Sequence, residues 1–336
     1  MAKIVLGFSG GVDSSVCAAL LRGEGWEVCG LYMDVAGAEA RREAERGARS
    51  LDISLRVVNV TDRLERYVCA PFIADYLRGR TPNPCVLCNP AVKFRCLLDY
   101  ADELGAEFVA TGHYARAENG ALLRGQLSND QSYMLSRLTR EQLRRVVLPL
   151  GGYEKREVCA IAERLGLASA QKPDSMEICF IPDHDYIRWI AERAAVPPAG
   201  DMVFNGEPIG RHEGIHRWTV GQRVPGLYDG RKLYVGRIVP ETNDVVLCLW
   251  EDLFTNSVTA ERVNWLIDKP TEPLRGSVRV RHTKWECPDC TVTPLPNGGM
   301  SIVTDQPLRA PAPGQSAVVY DGDRVAASGF IVQSGA

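Results

Sequence analysis

The sequence predicts an α/β protein in three parts: an N-terminal parallel sheet wrapped by helices, a small central α+β domain and a C-terminal β-barrel. Three observations carry this. Short apolar strands alternate with helical periods through the first half, closely spaced Pro and Gly interrupt the middle, and turn-separated strands fill the end. Length agrees, because 336 residues exceed what one hydrophobic core usually supports.

In the first part, residues 3–8 (KIVLGF), 28–33 (VCGLYM), 55–60 (LRVVNV) and 108–111 (FVAT) read as strands. Helical periods lie between them, through Val16, Ala19 and Leu20, through the charged stretch 38–51, and through Val92, Cys96, Tyr100 and Leu104 in a helix opening near Ala91. A further helix, 155–165, stops at Gly166. In the second part a helix over 186–194 precedes a run whose turns are too close for long helices. In the third, strands are expected over 277–282, 291–293, 300–304, 317–321 and 325–332, with turns at Asn297-Gly298 and Asp321-Gly322. The expected boundaries are 1–185, 186–260 and 261–336.

A hydrophobic content of 45% with 24% charged residues excludes a disordered chain. No stretch approaches the roughly 20 apolar residues of a membrane span, and the N-terminus lacks signal-peptide features, so a cytoplasmic location is expected. In that reducing compartment the 11 cysteines are read as thiols, metal ligands or catalysts. A net charge of −3 neither suggests nor excludes RNA, since a local basic groove is invisible to the sum. Arg78, Arg80, Lys93, Arg95, Arg137, Arg140, Arg144 and Arg145 supply local positive charge near the motifs below, though each alone fits a solvated face equally well.

The most specific motif is Ser9-Gly10-Gly11-Val12-Asp13-Ser14-Ser15, between a strand and a helix. Its glycines let backbone N–H groups approach phosphate oxygens, the helix N-terminus favours an anion, and the serines add hydroxyls. The loop lacks the Lys of G-x-x-x-x-G-K-[ST], which disfavours γ-phosphate transfer and favours reaction at the α-phosphate with loss of pyrophosphate. Asp13 is the candidate for organising Mg2+. The plain alternative is a Gly-Ser turn with Ser14 capping the helix. The motif resembles the PP-loop of ATP pyrophosphatases, which adenylate an oxygen and then displace AMP.

Two thiols, Cys85 and Cys88, lie in Thr81-Pro82-Asn83-Pro84-Cys85-Val86-Leu87-Cys88, stiffened by two prolines. Cys88, placed just before a helix N-terminus, is expected to favour its thiolate. Cys179 is a third candidate. Cys17, Cys29, Cys96, Cys159 and Cys248 read as core packing. A four-thiol zinc site from Cys85, Cys88, Cys287 and Cys290 is disfavoured by the long separation of the pairs, and Cys287-Pro-Asp-Cys290 reads as a barrel hairpin.

SGGVDSS, TPNPCVLCN, TGHYAR, DQSYML, CFIPD and WTVGQR follow one another in the order found in tRNA-specific 2-thiouridylases of the MnmA type. The resemblance covers essentially the whole chain. It implies ATP-dependent replacement of the C2 oxygen of the wobble uridine of tRNA by sulfur. By that resemblance Gly7, Phe8, Ser9, Gly10, Gly11, Val12, Asp13 and Ser14 bind ATP phosphates, and Met33 and Gly112 lie at the nucleoside. Cys88 matches the nucleophile and Cys179 the persulfide carrier, the pair able to form a disulfide. Asn83, Pro84 and Cys85 match the loop meeting the target base. Asn129, Asp130 and Gln131, with Arg279 and Arg281, match tRNA contacts. A cysteine desulfurase or relay protein is the implied sulfur donor.

Three departures matter. The loop usually reads TPNPD, whereas position 85 is cysteine; Asn129 stands for the usual Lys; and Arg279-Val280-Arg281 replaces Arg-Tyr-Arg. With a third thiol present, a 4Fe-4S cluster on Cys85, Cys88 and Cys179, with one iron open to sulfide, is a second expectation. Two other classes stay open: a PP-loop synthetase or amidotransferase acting on a small molecule, and a nucleotide-binding sensor.

Overall fold

The computed structural model describes all residues except 36, 171–177, 227, 283–286 and 335–336, and the side chains of 333 and 334. The chain packs as two compact units, 1–68 with 85–184 and 323–325, and 69–84 with 185–322 and 326–336.

The first unit is built on β1 (Lys3–Gly7), α1 (Val12–Gly23), β2 (Glu27–Asp34), α2 (Ala38–Ser50) and β3 (Ser54–Asn59). These are followed by a long helical run closing in α3 (Phe94–Leu104), then by β4 (Phe108–Ala110). The hairpin β5 (Ala115–Glu118) and β6 (Ala121–Arg124), then β7 (Val146–Val147) and α4 (Lys155–Arg164), complete it. The five-stranded sheet has the order β3-β2-β1-β4-β7. All its pairings are parallel, with Ile4 opposite Val28 on one side and Phe108 on the other. Strands buried on both faces must be continuously apolar, which is why Ile4, Val5 and Leu6 are all fully buried. The four expected strands are present within a residue or two. β7 is too short to read from sequence, and the β5–β6 hairpin hid behind Asn119-Gly120, both at positive φ as a primed turn requires.

Strand order reverses between β1 and β4, so the loops after these two strands splay apart at their carboxyl ends. In open α/β sheets this is where ligands bind. Gly10 sits there at φ +74°, and a Cβ on it would lie 2.8 Å from the Ala44 Cα of α2. Only glycine fits that position.

The second unit contains a mixed sheet of β8 (Gly200–Phe204), β9 (Glu207–His212), β10 (Tyr234–Val239) and β11 (Asp244–Cys248), ordered β10-β11-β8-β9. It also contains β12 (Phe254–Trp265), β13 (Leu274–Arg279), β14 (Asp289–Pro294), β15 (Met300–Arg309), β16 (Ser316–Asp321) and β17 (Arg324–Ser334). These run in the order β12-β15-β14-β13-β16-β17, and a β12–β17 pairing closes the barrel. Its interior is Val258, Val278, Val292, Ile302, Val319 and Ile331, all buried. β12 escaped the sequence reading because its first half, FTNSV, is largely polar. Cys290 is buried in the barrel core, and the Cys287 thiol donates to Ser277 Oγ at 3.3 Å, consistent with the expected hairpin position. Among the described residues no helix is long and apolar enough to cross a membrane.

Candidate active site

The loop after β1 forms a cup at the N-terminus of α1. Gly11 occupies the N-cap in extended geometry and makes no side-chain cap bond, so among the described residues the first helical N–H groups keep no intrahelical or side-chain acceptor. Ser14 does not cap the helix, contrary to the plain alternative. Its hydroxyl donates back to the Gly11 carbonyl at 3.1 Å and lies 3.2 Å from Ser9 Oγ, while the Ser9 N–H points at it from 3.3 Å. The loop therefore holds its own shape and leaves the helix end available to an anion. Gly112, just after β4, faces the same helix start: a Cβ there would stand 3.0 Å from the Asp13 Cβ. Met33 lies near the carboxyl end of β2, beside this crevice's sheet.

Asp13 is not free to serve a metal with both oxygens. Its Oδ1 accepts the Tyr114 hydroxyl at 2.7 Å and the Lys155 ammonium at 2.8 Å, whereas Oδ2 takes no hydrogen bond among the described residues. Tyr114 is positioned in turn by Gln131. Gln131 N–H donates to the Tyr114 carbonyl at 2.7 Å, and Tyr114 N–H donates to Gln131 Oε1 at 3.0 Å. Tyr114 and Lys155 were missed in the sequence because long-range pairing to a carboxylate leaves no local pattern.

The thiols lie in the same unit. The helix expected near Ala91 opens earlier, at Pro84, and runs as Pro84–Cys88, a π turn Asn89–Lys93 and then α3. Pro suits the first helical position, and Pro90, lacking an N–H, favours the widened turn. Buried Asn89 pins this segment through its side-chain amide to the Met134 carbonyl at 2.9 Å. Cys88 is half-buried, and Cys85 and Cys179 are exposed. Residues 174–177 of the Cys179 segment lie outside the described residues.

The expectation of a favoured Cys88 thiolate is corrected. Burial pushes its pKa from 9.0 up to about 11, and although Lys93 pulls it down, the facing thiols of Cys179 and Cys85 push it further up. Cys88 sits at the end of the helix's first segment rather than ahead of its N-terminus, so the helix end does not help it. Cys85 and Cys179 keep exposed surface, yet desolvation of their thiols raises both, again opposed by Lys93. Lys93 lowers all three thiols, and its Nζ is 3.4 Å from His113 Nε2. Burial, then Lys93, holds His113 well below the usual histidine range, and its Nδ1 lies 2.7 Å from Thr111 Oγ1. A neutral His113 with Nε2 facing the ammonium carries its proton on Nδ1, bonded to Thr111.

Among the described residues no three His, Cys, Asp or Glu side chains are gathered closely enough to hold an ion, so the three-thiol iron cluster has no preformed holder. Several expected tRNA contacts are turned inward. Asp130 is buried, accepting Gly125 N–H and Ser132 N–H on Oδ1, each at 3.0 Å, and the Ser132 hydroxyl on Oδ2 at 2.9 Å. With its amide oxygen toward α4, Asn129 accepts the Lys155 N–H at 2.6 Å. In the second unit Arg279 is buried, and Arg281 donates to the carbonyls of Val220 (2.8 Å) and Ala310. Arg95 pairs with Asp99 at 2.9 Å and Arg145 with Asp102 at 2.7 Å. Asn83 and Pro84 lead directly into the Cys85 helix turn.

The chain matches the family models described as tRNA methyl transferase HUP domain over residues 2–183, PRC-barrel domain over 193–249 and aminomethyltransferase β-barrel domain over 255–331. It is 42% identical over 355 residues to the tRNA-specific 2-thiouridylase MnmA of Geobacter metallireducens, covering 98% of this chain and 96% of that one. The chain belongs to the MnmA family. The MnmA of Syntrophotalea carbinolica is 43% identical, covering 98% of each chain. A solved structure titled as a 4-thiouridine synthetase–RNA complex with bound ATP matches with a TM-score of 0.37 and 21% identity, covering 57% of this chain and 50% of that one.

Proposed function

We propose that this protein is an ATP-dependent tRNA-uridine 2-sulfurtransferase. The observation that carries the reading is near-full-length MnmA-family membership together with an uncapped helix N-terminus and the thiols of Cys88 and Cys179 within the same unit. The uridine C2 oxygen attacks the α-phosphate of ATP and pyrophosphate leaves, which turns a poor leaving group into AMP. Residues 7–14 hold the phosphates, with Met33 and Gly112 at the nucleoside. Asp13 Oδ2 is the oxygen suited to Mg2+ accompanying the phosphates, which would neutralise their charge.

Cys179 carries a persulfide received from a donor protein such as a cysteine desulfurase or relay protein. Its outer sulfur attacks C2 and expels AMP. Cys88 then attacks the Cys179 sulfur, the S–S bond to the base breaks, and sulfur stays on C2. A Cys88–Cys179 disulfide remains, which a thiol reductant resets. Asn83, Pro84 and Cys85 are assigned to the target base, and Cys85 cannot supply the carboxylate chemistry of the usual Asp. Gln131 acts on the nucleotide site through Tyr114. The division at 1–185, 186–260 and 261–336 belongs to this proposal; the matched regions 2–183 and 193–249 support the first boundary, whereas the third, 255–331, begins with β12 (Phe254–Trp265) and moves the second boundary ahead of residue 261.

The test is mass spectrometry of nucleosides from tRNA incubated with protein, ATP, a persulfide donor and a reductant. Sulfur-for-oxygen exchange in uridine supports the proposal. An added methyl group, or unchanged tRNA with pyrophosphate still released as a small-molecule acceptor takes up AMP, overturns it. Asp13→Ala should abolish pyrophosphate release, whereas Cys88→Ser and Cys179→Ser should abolish only sulfur transfer.

A further inference from the structure

The phosphate loop has glycines, serines and a carboxylate, yet no cation of its own, although the ligand proposed for it is a polyanion. The structure brings a cation from a distant place in the chain. Lys155, the first residue of α4, reaches Asp13 in the first turn of α1, 142 positions away, at 2.8 Å. Its position is electrostatically contrary to its own helix, because an N-terminus favours anions and repels ammonium groups. The α1 N-terminus beside it is a second positive end. Asp13 Oδ1, itself braced by the Tyr114 hydroxyl at 2.7 Å, lies between these like charges and accepts the ammonium. The pair is partly exposed, 24% for the Lys155 side chain and 32% for Asp13, so the bond is of the weak kind that water and ligands can replace.

We infer that Lys155 is the phosphate-binding lysine of this site, stored on Asp13 when no nucleotide is present and transferred to the phosphate chain when ATP binds. The transfer leaves the Asp13 carboxylate unpaired beside the phosphates, where a cation accompanying them can take the place of the ammonium. Tyr114 keeps the carboxylate in place through the exchange, and Gln131 keeps Tyr114 in place. This rests on the reading that ATP phosphates occupy the α1 N-terminus.

The test is calorimetric titration of the full-length protein with ATP and, separately, adenosine, for the wild type and for Lys155→Met, Lys155→Gln and Lys155→Arg. Loss of one charge-assisted contact predicts about 10-fold weaker ATP binding in the Met and Gln variants, with Arg close to wild type and adenosine unchanged throughout. Thermal unfolding checks each variant, and Gln serves where Met fails to fold. Unchanged ATP affinity in folded Lys155→Gln overturns the inference, as does equal weakening for adenosine, which would mark a merely structural residue. A wild-type protein binding neither ligand would overturn the phosphate-loop reading itself.

Discussion

Cys88 should be a slow thiol at rest, and the delay can be calculated. A pKa moved from 9.0 to about 11 leaves roughly 100-fold less thiolate at pH 8. A more basic thiolate is also more nucleophilic, by about 6- to 10-fold over that range for a Brønsted coefficient of 0.4–0.5. Alkylation of Cys88 by iodoacetamide should therefore run about 10- to 16-fold slower in the folded protein than in the urea-unfolded chain at the same pH. Peptide mass spectrometry against time, from pH 7 to 11, gives both the rate and its midpoint. Lys93→Met should move the midpoint higher, since Lys93 is the group lowering it, and Cys179→Ser should move it lower. The sign for stability follows. Because the folded pKa is the higher one, Cys88's contribution is complete below pH 9 and is lost as pH rises through 11. A folded-state midpoint at or below 9, or no response to Lys93→Met, would refute the claim that burial governs this thiol.

Two further changes test the scaffold. Gly10→Ala combines a positive φ, about 1–2 kcal/mol for a residue with a Cβ, with a contact of 2.8 Å to the α2 backbone. Urea unfolding should show a loss of about 3 kcal/mol or more, with ATP affinity falling as the cup opens. Asp130→Ala strips acceptors from Gly125, Ser132 N–H and the Ser132 hydroxyl inside a buried turn. A loss of about 3 kcal/mol is expected in the same assay. Wild-type stability with weakened tRNA binding would instead make Asp130 a surface contact.

Local chemistry was legible in the sequence. The apolar runs of β1 to β4, Gly166 at the end of α4, and the glycine-serine loop between a strand and a helix each follow from interactions spanning a few residues. Backbone propensity and burial periodicity record such interactions in the sequence. The cup's anion preference was legible for the same reason, as it depends on a helix end and the residues beside it.

Only the tertiary structure decided the charges and the fates of individual polar groups. Asp13 read as a free metal carboxylate until Tyr114 and Lys155 met it from remote segments. By resemblance Asp130, Arg279 and Arg281 match tRNA contacts, and folding buries the first two and turns the guanidinium of Arg281 onto two carbonyls. Cys88 read as activated from its place in the chain, but its acidity depends on how much water and which charges surround it in space. Desolvation and charge–charge interaction depend on three-dimensional distance, and that distance exists only after strands far apart in sequence are brought together by the burial of their apolar faces.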